Sequence, residues 1–303
     1  MQAIQLRSFG PVSQLNTATV SRPTIKPKQV LIETHAVAIE PYDVKFVAGQ
    51  MPYQKSLPVT PGSSVMGTIT AIGSEVTDFK IGDRVAANRY LQTYAEYVAV
   101  PASALALVPP ELNDSQAVAV AVSGATGYQL IHDDLDLKAQ QKILIQGGAG
   151  GVGTIAIQEA KLLGAHVYAT ANPRDFSLIE KLGATPIDYR QDYAQHLSNF
   201  DAVLDPIGGK TAIQSARLLK KGGKLRNLTS YDEATIATFP IDAAQTWLKP
   251  KGGPLLEKLY QDIVKENFMI RIDTIAPFNE QTVRQMHTAL REHSSHGKLV
   301  LTF

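Results

Sequence analysis

The chain predicts an α/β protein of two domains, a compact β domain followed by a doubly wound parallel sheet. Three observations carry this. Residues 1–110 hold short strand-like runs broken by turn signals such as Arg22-Pro23, Pro61-Gly62, Gly73-Ser74 and Gly82-Asp83. From Lys142 onward, strand-like and helix-like segments alternate, which is the pattern of a parallel sheet covered on both faces. The segment KILIQGGAGGVG, residues 142–153, opens that alternation with five glycines in seven positions. At 303 residues the chain exceeds the ~100 to 200 typical of one domain.

Taken in order, strands are predicted over 3–6, 30–39, 64–72, 84–87 and 94–100. The period then changes. Asp114 or Ser115 can cap a helix through 117–122, and a second apolar stretch covers 127–131. After the strand 142–146 come a helix at 152–163, a strand at 166–171, a helix at 175–182, a strand at 202–205, a helix at 211–219 and a strand at 224–228. A helix at 255–266, a strand at 269–275, a helix at 280–292 and a strand at 298–303 complete the series. The last strand continues the parallel sheet poorly and is expected to return to the N-terminal β domain, making that domain discontinuous. No internal repeat or low-complexity segment is evident.

Gly148, Gly150 and Gly153 fit the G-x-G-x-x-G spacing of a Rossmann dinucleotide site. That spacing needs one glycine for the turn, one for backbone approach to a pyrophosphate and one for helix-to-strand packing. The following helix, 152–163, points its free N–H groups and positive dipole end at that phosphate, so Gly151, Val152 and Gly153 join Gly148 and Gly150 as candidate cofactor-binding residues. Because a strand precedes the glycines and a second strand restarts at 166, the motif sits in a βαβ unit of the expected ~30 residues.

Composition excludes other chemistries. Twenty-nine basic residues against 28 acidic ones give a formal net charge of +1, with no field to attract nucleic acid or an anionic membrane. Without cysteine there are no disulfides, thiolate metal ligands or cysteine nucleophile. His293 and His296 are close only in a polar turn, and Ser123 lacks a G-x-S-x-G context, so neither a metal site nor a hydrolase is indicated. The N-terminus alternates like a strand, and no apolar run approaches the ~18 residues of a spanning helix. A soluble, cytoplasmic protein is expected.

Several segments, in this order, resemble the zinc-free quinone oxidoreductase branch (zeta-crystallin-like) of the medium-chain dehydrogenase/reductase superfamily. They are MQAIQLRSFG (1–10), EPYDVKFVAG (40–49), PGSSVMGTITAIGSEVTDFKIGDRVAA (61–87), YAEYVAVP (94–101), ATGYQL (125–130), GGAGGVG (147–153), DPIGG (205–209), LKKGGKL (219–225) and GKLVLTF (297–303). The resemblance implies a GroES-like β domain over 1–120 and 272–303, a Rossmann domain over 121–271, an active site in the cleft between them, and a homodimer joined through the Rossmann sheets. The cysteine, histidine and cysteine that hold catalytic zinc in other members fall here on Glu40, Ser63 and Val122. Two of these cannot ligate well, whereas a catalytic zinc takes about three protein ligands and an open position. A short run over 88–93 replaces the structural zinc lobe. No metal is expected. Glu40, where quinone reductases commonly carry asparagine, either pairs with a cation such as Lys45 or faces the substrate.

At the ribose end, the strand 166–171 is followed by Asn172, Pro173 and Arg174 with no carboxylate at its tip. An acidic residue there would bind the ribose 2′-OH of NAD, whereas Arg174 suits a 2′-phosphate. Tyr189 matches a family position beside that phosphate, so NADPH is favoured over NADH, with Asp175 as the opposing feature. The alternatives are a solvated Arg174 and a packed Tyr189. Toward the nicotinamide, the resemblance points to Thr126, Ile207, Gly208, Leu228 and Thr229. Tyr42 occupies the position of the hydroxyl residue that relays protons in zinc-containing relatives, and Tyr53 lies in a loop that borders the family pocket. Either phenol, protonated at neutral pH, can donate a hydrogen bond to the oxygen of a quinone or an α,β-unsaturated carbonyl compound. The expectation is a metal-independent NADPH-dependent quinone or enone reductase. Its rival is an NADPH-binding sensor or structural protein with little turnover.

Overall fold

The computed structural model describes residues 1–53, 56–249 and 252–303. The chain divides into two compact units, Met1–Ser123 with Lys249–Phe303, and Gly124–Leu248.

The first unit is built on the strand Gln29–Ile39, QVLIETHAVAI, whose residues are mostly buried. On one side it pairs with Ser64–Ile72, and on the other with Tyr97–Pro101 and then Lys298–Thr302, all antiparallel. Ser64–Ile72 approaches so closely at Gly67 that a Cβ there would lie 1.9 Å from the Glu33 carbonyl oxygen, so only glycine fits. Ile272–Pro277 pairs parallel to Lys298–Thr302. Their connection is the helix Glu280–Arg291, capped by Asn279. Val283 and Met286 of this helix join Ile4, Leu6, Phe46 and Tyr94 in one apolar core.

The helix Gly253–Glu266 corrects the expected boundary, which put it in the Rossmann domain. Leu256, Leu259, Tyr260 and Ile263 form one buried stripe with the i, i+3, i+4, i+7 spacing of an amphipathic helix. That stripe faces the first unit, where the Tyr260 hydroxyl donates to the Ala117 carbonyl at 2.9 Å. At Gly253 a Cβ would stand 2.1 Å from the Leu105 carbonyl oxygen, so helix and strand meet backbone to backbone.

The second unit is a six-stranded, wholly parallel sheet. In spatial order its strands are Thr185–Asp188, His166–Ala171, Lys142–Ile145, Phe200–Asp205, Leu219–Asn227 and Asp242–Gln245. Lys142–Ile145 lies between His166–Ala171 and Phe200–Asp205, so the strand order reverses there, where open α/β sheets bind ligands. The two edge strands are absent from the sequence prediction. Each is four residues long, and TPID and DAAQ lack the apolar run of a buried strand. Pro186 is compatible with an edge, where no second neighbour needs its missing N–H.

Candidate cofactor and substrate sites

In the second unit, Lys142–Ile145 delivers Gln146 to the start of the glycine turn. Gln146 is buried and donates through Nε2 to the Tyr193 hydroxyl at 2.9 Å and to Ser215 Oγ at 3.0 Å, while its Oε1 accepts from Thr170 Oγ1 at 2.8 Å. Thr170 Oγ1 in turn accepts from the Gly147 amide at 3.0 Å, so a fully bonded polar network holds the turn in place. The network escaped sequence reasoning, although a polar residue closing the apolar run KILI was its signal.

The glycines divide their work differently from the motif expectation. The left-handed turn residue is Gly147, at φ +64°, rather than Gly148. Gly148 makes room for packing, since a Cβ there would lie 2.6 Å from Ala169 Cβ. A Cβ on Gly153 would lie 2.5 Å from the Gly147 carbonyl oxygen and 2.7 Å from Gly148 Cα, which ties the helix start to the turn. At Gly150, apart from its chain neighbours, a Cβ would meet among the described residues just the Gly147 carbonyl oxygen, at 3.3 Å, so the space above it is open. The helix Gly151–Leu162 begins its ladder with the Thr154 amide on the Gly150 carbonyl. The amides of Gly151, Val152 and Gly153 therefore have no intrahelical acceptor. Open space over a row of such donors fits a pyrophosphate.

Three further segments converge on this turn. Gly127, in the helix Ser123–Gln129, would bring a Cβ to 2.7 Å from the Val152 carbonyl oxygen, which sets the buried Thr126 beside the helix start. After Phe200–Asp205 the chain folds over the Asp205 carboxylate, whose Oδ1 accepts from the amides of Ile207 at 2.8 Å and Gly208 at 3.0 Å. Burial raises the pKa of Asp205, opposed by those backbone bonds. Gly208, at φ +74°, leaves no space for a side chain against Thr229 Oγ1, which donates to the Ile207 carbonyl at 2.8 Å. The Leu228 amide donates to the Asp205 carbonyl at 3.1 Å. Ile207 is 56% exposed, with its Cδ1 3.4 Å from the Cβ position of Gly147. Thr126, Gly147–Gly153, Ile207, Gly208 and Thr229 thus form one constellation.

Asn172, Arg174 and Tyr189 follow the two neighbouring strands. Asn172 Oδ1 accepts from the Arg174 amide at 3.2 Å. Arg174 Nε stands 3.7 Å from Asp175 Oδ2, a distant ion pair on an exposed side chain. Tyr189 is 54% exposed, which overturns the packed alternative. Asp188, beside it, forms a two-point pair with Arg190, Nε–Oδ1 at 2.9 Å and Nη2–Oδ2 at 2.8 Å. Those bonds hold the Asp188 carboxyl down to about 2 and balance its charge beside Tyr189.

In the first unit, of the two readings open for Glu40 it takes the pairing with a cation, which is Lys298, Oε1 to Nζ at 2.6 Å, rather than Lys45. Both side chains are buried. Ser123 Oγ donates to Glu40 Oε2 at 2.5 Å and accepts from Lys298 Nζ at 3.1 Å. Among the zinc-ligand positions of relatives, Glu40 is thus engaged by an ammonium, Ser63 offers a neutral hydroxyl, and Val122 offers no donor atom. This set does not fit a catalytic zinc. Among the described residues, no group of three or more His, Cys, Asp or Glu side chains is arranged to hold a metal ion.

Glu40 also caps the short helix Pro41–Val47, its amide donating to Asp43 Oδ2 at 3.0 Å. The same oxygen accepts from the Tyr94 hydroxyl at 3.1 Å, and that hydroxyl lies 3.1 Å from His287 Nε2. Burial, then repulsion from Glu40, pushes the Asp43 carboxyl up to about 7. Burial drives His287 down to about 3, so it is neutral at physiological pH. Since the folded pKa of Asp43 lies above its unfolded value, its contribution to stability is full below about pH 4 and is lost as pH rises through about 7. Because His287, held down to about 3, contributes the opposite slope up to about pH 6.5, urea unfolding from pH 5 to 8 should show stability rising more steeply with pH in Asp43→Asn than in the parent, where the two slopes oppose each other. Equal slopes would mean that Asp43 ionises normally.

Tyr42 and Tyr53 are both partly buried against the core around Phe46. The Tyr42 ring lies 5.2 Å from that of Tyr90. Burial, followed by the Asp43 charge, raises the Tyr42 pKa, so its phenol holds its proton at neutral pH.

Residues 26–110 match the alcohol dehydrogenase GroES-like domain family and residues 151–249 the zinc-binding dehydrogenase family. An NADPH-dependent alkenal/one oxidoreductase of Arabidopsis thaliana is 31% identical over 321 residues, spanning 99% of this chain and 79% of the relative. A quinone oxidoreductase from Coxiella burnetii superposes with a TM-score of 0.93 at 28% identity, covering 100% of this chain and 99% of that one. A mycobacterial protein determined in complex with NADPH superposes at 0.91, with 26% identity and complete coverage of both chains. With its GroES-like β domain and its six-stranded Rossmann sheet, the chain belongs to the medium-chain dehydrogenase/reductase superfamily of NAD(P)H-dependent oxidoreductases, in the branch of the quinone oxidoreductases, alkenal reductases and VAT-1 homologues.

Proposed function

We propose that the protein reduces quinones or activated α,β-unsaturated carbonyl compounds with NADPH and without a metal. The observation that carries the reading is the engagement of Glu40 by Lys298 where metal-dependent relatives place a ligand. A Lewis acid is one way to activate a plain ketone or alcohol at its oxygen, and the one used by metal-dependent relatives. Conjugated acceptors spread the developing charge onto oxygen and need only a hydrogen-bond donor there. The names of the alkenal/one and quinone oxidoreductases above support that substrate class.

Bound NADPH would supply the hydride. The amides of Gly151–Gly153 would hold its pyrophosphate, Arg174 and Tyr189 its 2′-phosphate, and Thr126, Ile207, Gly208, Leu228 and Thr229 its nicotinamide end. Tyr42 is the proposed donor to the substrate oxygen, with Tyr53 as a second phenol on the same core. Its raised pKa suits donation rather than proton loss.

The test is oxidation of NADPH and NADH with 1,4-benzoquinone, 9,10-phenanthrenequinone and a simple enone, with and without a chelator. NADPH should be preferred and the chelator without effect. Arg174→Ala should reduce the NADPH preference at least tenfold, and Tyr42→Phe should lower kcat about 10²-fold while NADPH binding persists. A Tyr42→Phe rate within twofold of the parent removes Tyr42 from this role. Tight NADPH binding without turnover of any acceptor would favour a nucleotide-binding protein instead.

A further inference from the structure

The half-buried arginines Arg84, Arg226 and Arg284 each pair with a carboxylate, those of Asp114, Asp242 and Glu280. Arg89 is also half-buried, yet among the described residues no carboxylate stands within ion-pair distance of it. Its guanidinium contacts the side-chain oxygen of Gln92, a neutral acceptor. Burial lowers its pKa with nothing opposing. A guanidinium carries five N–H donors, so one amide oxygen leaves most of them for another partner.

The local backbone is built to keep it there. Leu91 and Gln92 are consecutive non-glycine residues in the left-handed region, at φ +70° and +74°. Each costs of order 1 kcal/mol, and such strain persists only where surrounding structure enforces it. The enforcing bonds run from the Arg89 amide to the Ser63 carbonyl at 2.7 Å, from Gln92 to Thr60 at 2.9 Å and from Thr93 to Pro61 at 3.1 Å. This strained turn folds Gln92 back onto Arg89 and carries Tyr90, whose ring faces Tyr42. Arg89, with no carboxylate partner among the described residues, thus directly precedes in the chain the tyrosine whose ring packs on that of the proposed donor.

We propose that Arg89 is an anion-recognising residue of the substrate site, selecting enones or quinones that bear a carboxylate. The inference rests on the hydride-transfer reading for its substrate class. The guanidinium fork would take both carboxylate oxygens, with Gln92 fixing its plane. The Tyr42–Tyr90 pair would lie against the conjugated portion.

A matched pair of acceptors tests it, (E)-4-oxopent-2-enoate and its methyl ester, which share the enone and differ in charge. With the acid the reaction is NADPH + H⁺ + 4-oxopent-2-enoate → NADP⁺ + 4-oxopentanoate. Hydride adds to one alkene carbon and the proton is taken from solvent at the other. The native protein should prefer the acid at least tenfold in kcat/KM. Arg89→Leu should lose at least tenfold more on the acid than on the ester, and Arg89→Lys should recover part of the loss. Equal losses on both acceptors, or no native preference for the acid, would overturn the proposal. Calorimetric titration with 4-oxopentanoate, in the presence of NADPH, separates it from the reductase reading. If neither acceptor turns over, hydride transfer is set aside, and binding that Arg89→Leu abolishes without changing the melting temperature still supports an anion site. Absence of binding to the native protein, or binding unchanged in Arg89→Leu, sinks it.

Discussion

Replacing Lys298 with methionine is expected to destabilise the first unit by about 3–5 kcal/mol, the cost of stranding one member of a buried ion pair. Glu40 and Lys298 are both buried, and the loss of Nζ removes the one cation paired with this carboxylate among the described residues. Glu40→Gln alone strands the ammonium and should cost a comparable amount. The double variant removes both charges together, and replacing a whole pair is often neutral. Its stability should therefore lie well above the sum of the single losses, by at least about 2 kcal/mol in a double-mutant cycle. Urea denaturation of the four proteins measures this. Single losses under about 1 kcal/mol that simply add would show that the pair contributes little and that solvent reaches it.

A methyl group at Gly153 is expected to abolish measurable NADPH binding, a loss of at least ~10²-fold, and to destabilise the second unit by about 1–3 kcal/mol. Its Cβ would lie 2.5 Å from the Gly147 carbonyl oxygen, 2.7 Å from Gly148 Cα and 2.8 Å from the Gly148 carbonyl oxygen. All three are backbone atoms, so relief comes only by pushing the helix start away from the turn. Gly150→Ala is the informative partner. Its conformation, φ −82° and ψ 173°, accepts alanine without strain, and its methyl would meet little but open space. That variant should melt like the parent yet bind NADPH at least tenfold more weakly, because the methyl occupies the path of the pyrophosphate. Undiminished binding by Gly150→Ala would place the phosphates elsewhere.

What was readable in the sequence follows from how local each signal is. The glycine turn was legible because strand, turn and helix are contiguous, and five glycines in seven residues mark it. Its division of labour was not, because only the three-dimensional path shows that Gly147 rather than Gly148 takes the positive φ. That Glu40 pairs with a cation was one of its two readings, but which cation was not legible for the same reason. Lys45 is close in sequence, whereas Lys298 arrives through strand pairing near the opposite end of the chain, a register that no local pattern encodes. The helix 253–266 had a legible amphipathic stripe, yet its target depended on Gly253 meeting Leu105, a long-range contact. Arg89 was silent, since nothing in a sequence announces a missing carboxylate.

The pairing of Lys298–Thr302 with Gln29–Ile39 also dictates an order of assembly during synthesis. Every strand of the second unit lies within one uninterrupted stretch, so its sheet can close while the ribosome is still making later residues. The first unit has no such freedom. Its central strand emerges early and waits for a neighbour made after residue 297, across the longest sequence separation of the strand pairings among the described residues. Until that strand docks, the Glu40 carboxylate has no ammonium and retains its water. The nascent first unit is thus a sheet with an open seam and an acidic floor, sealed and neutralised together by the arrival of a single lysine-bearing strand.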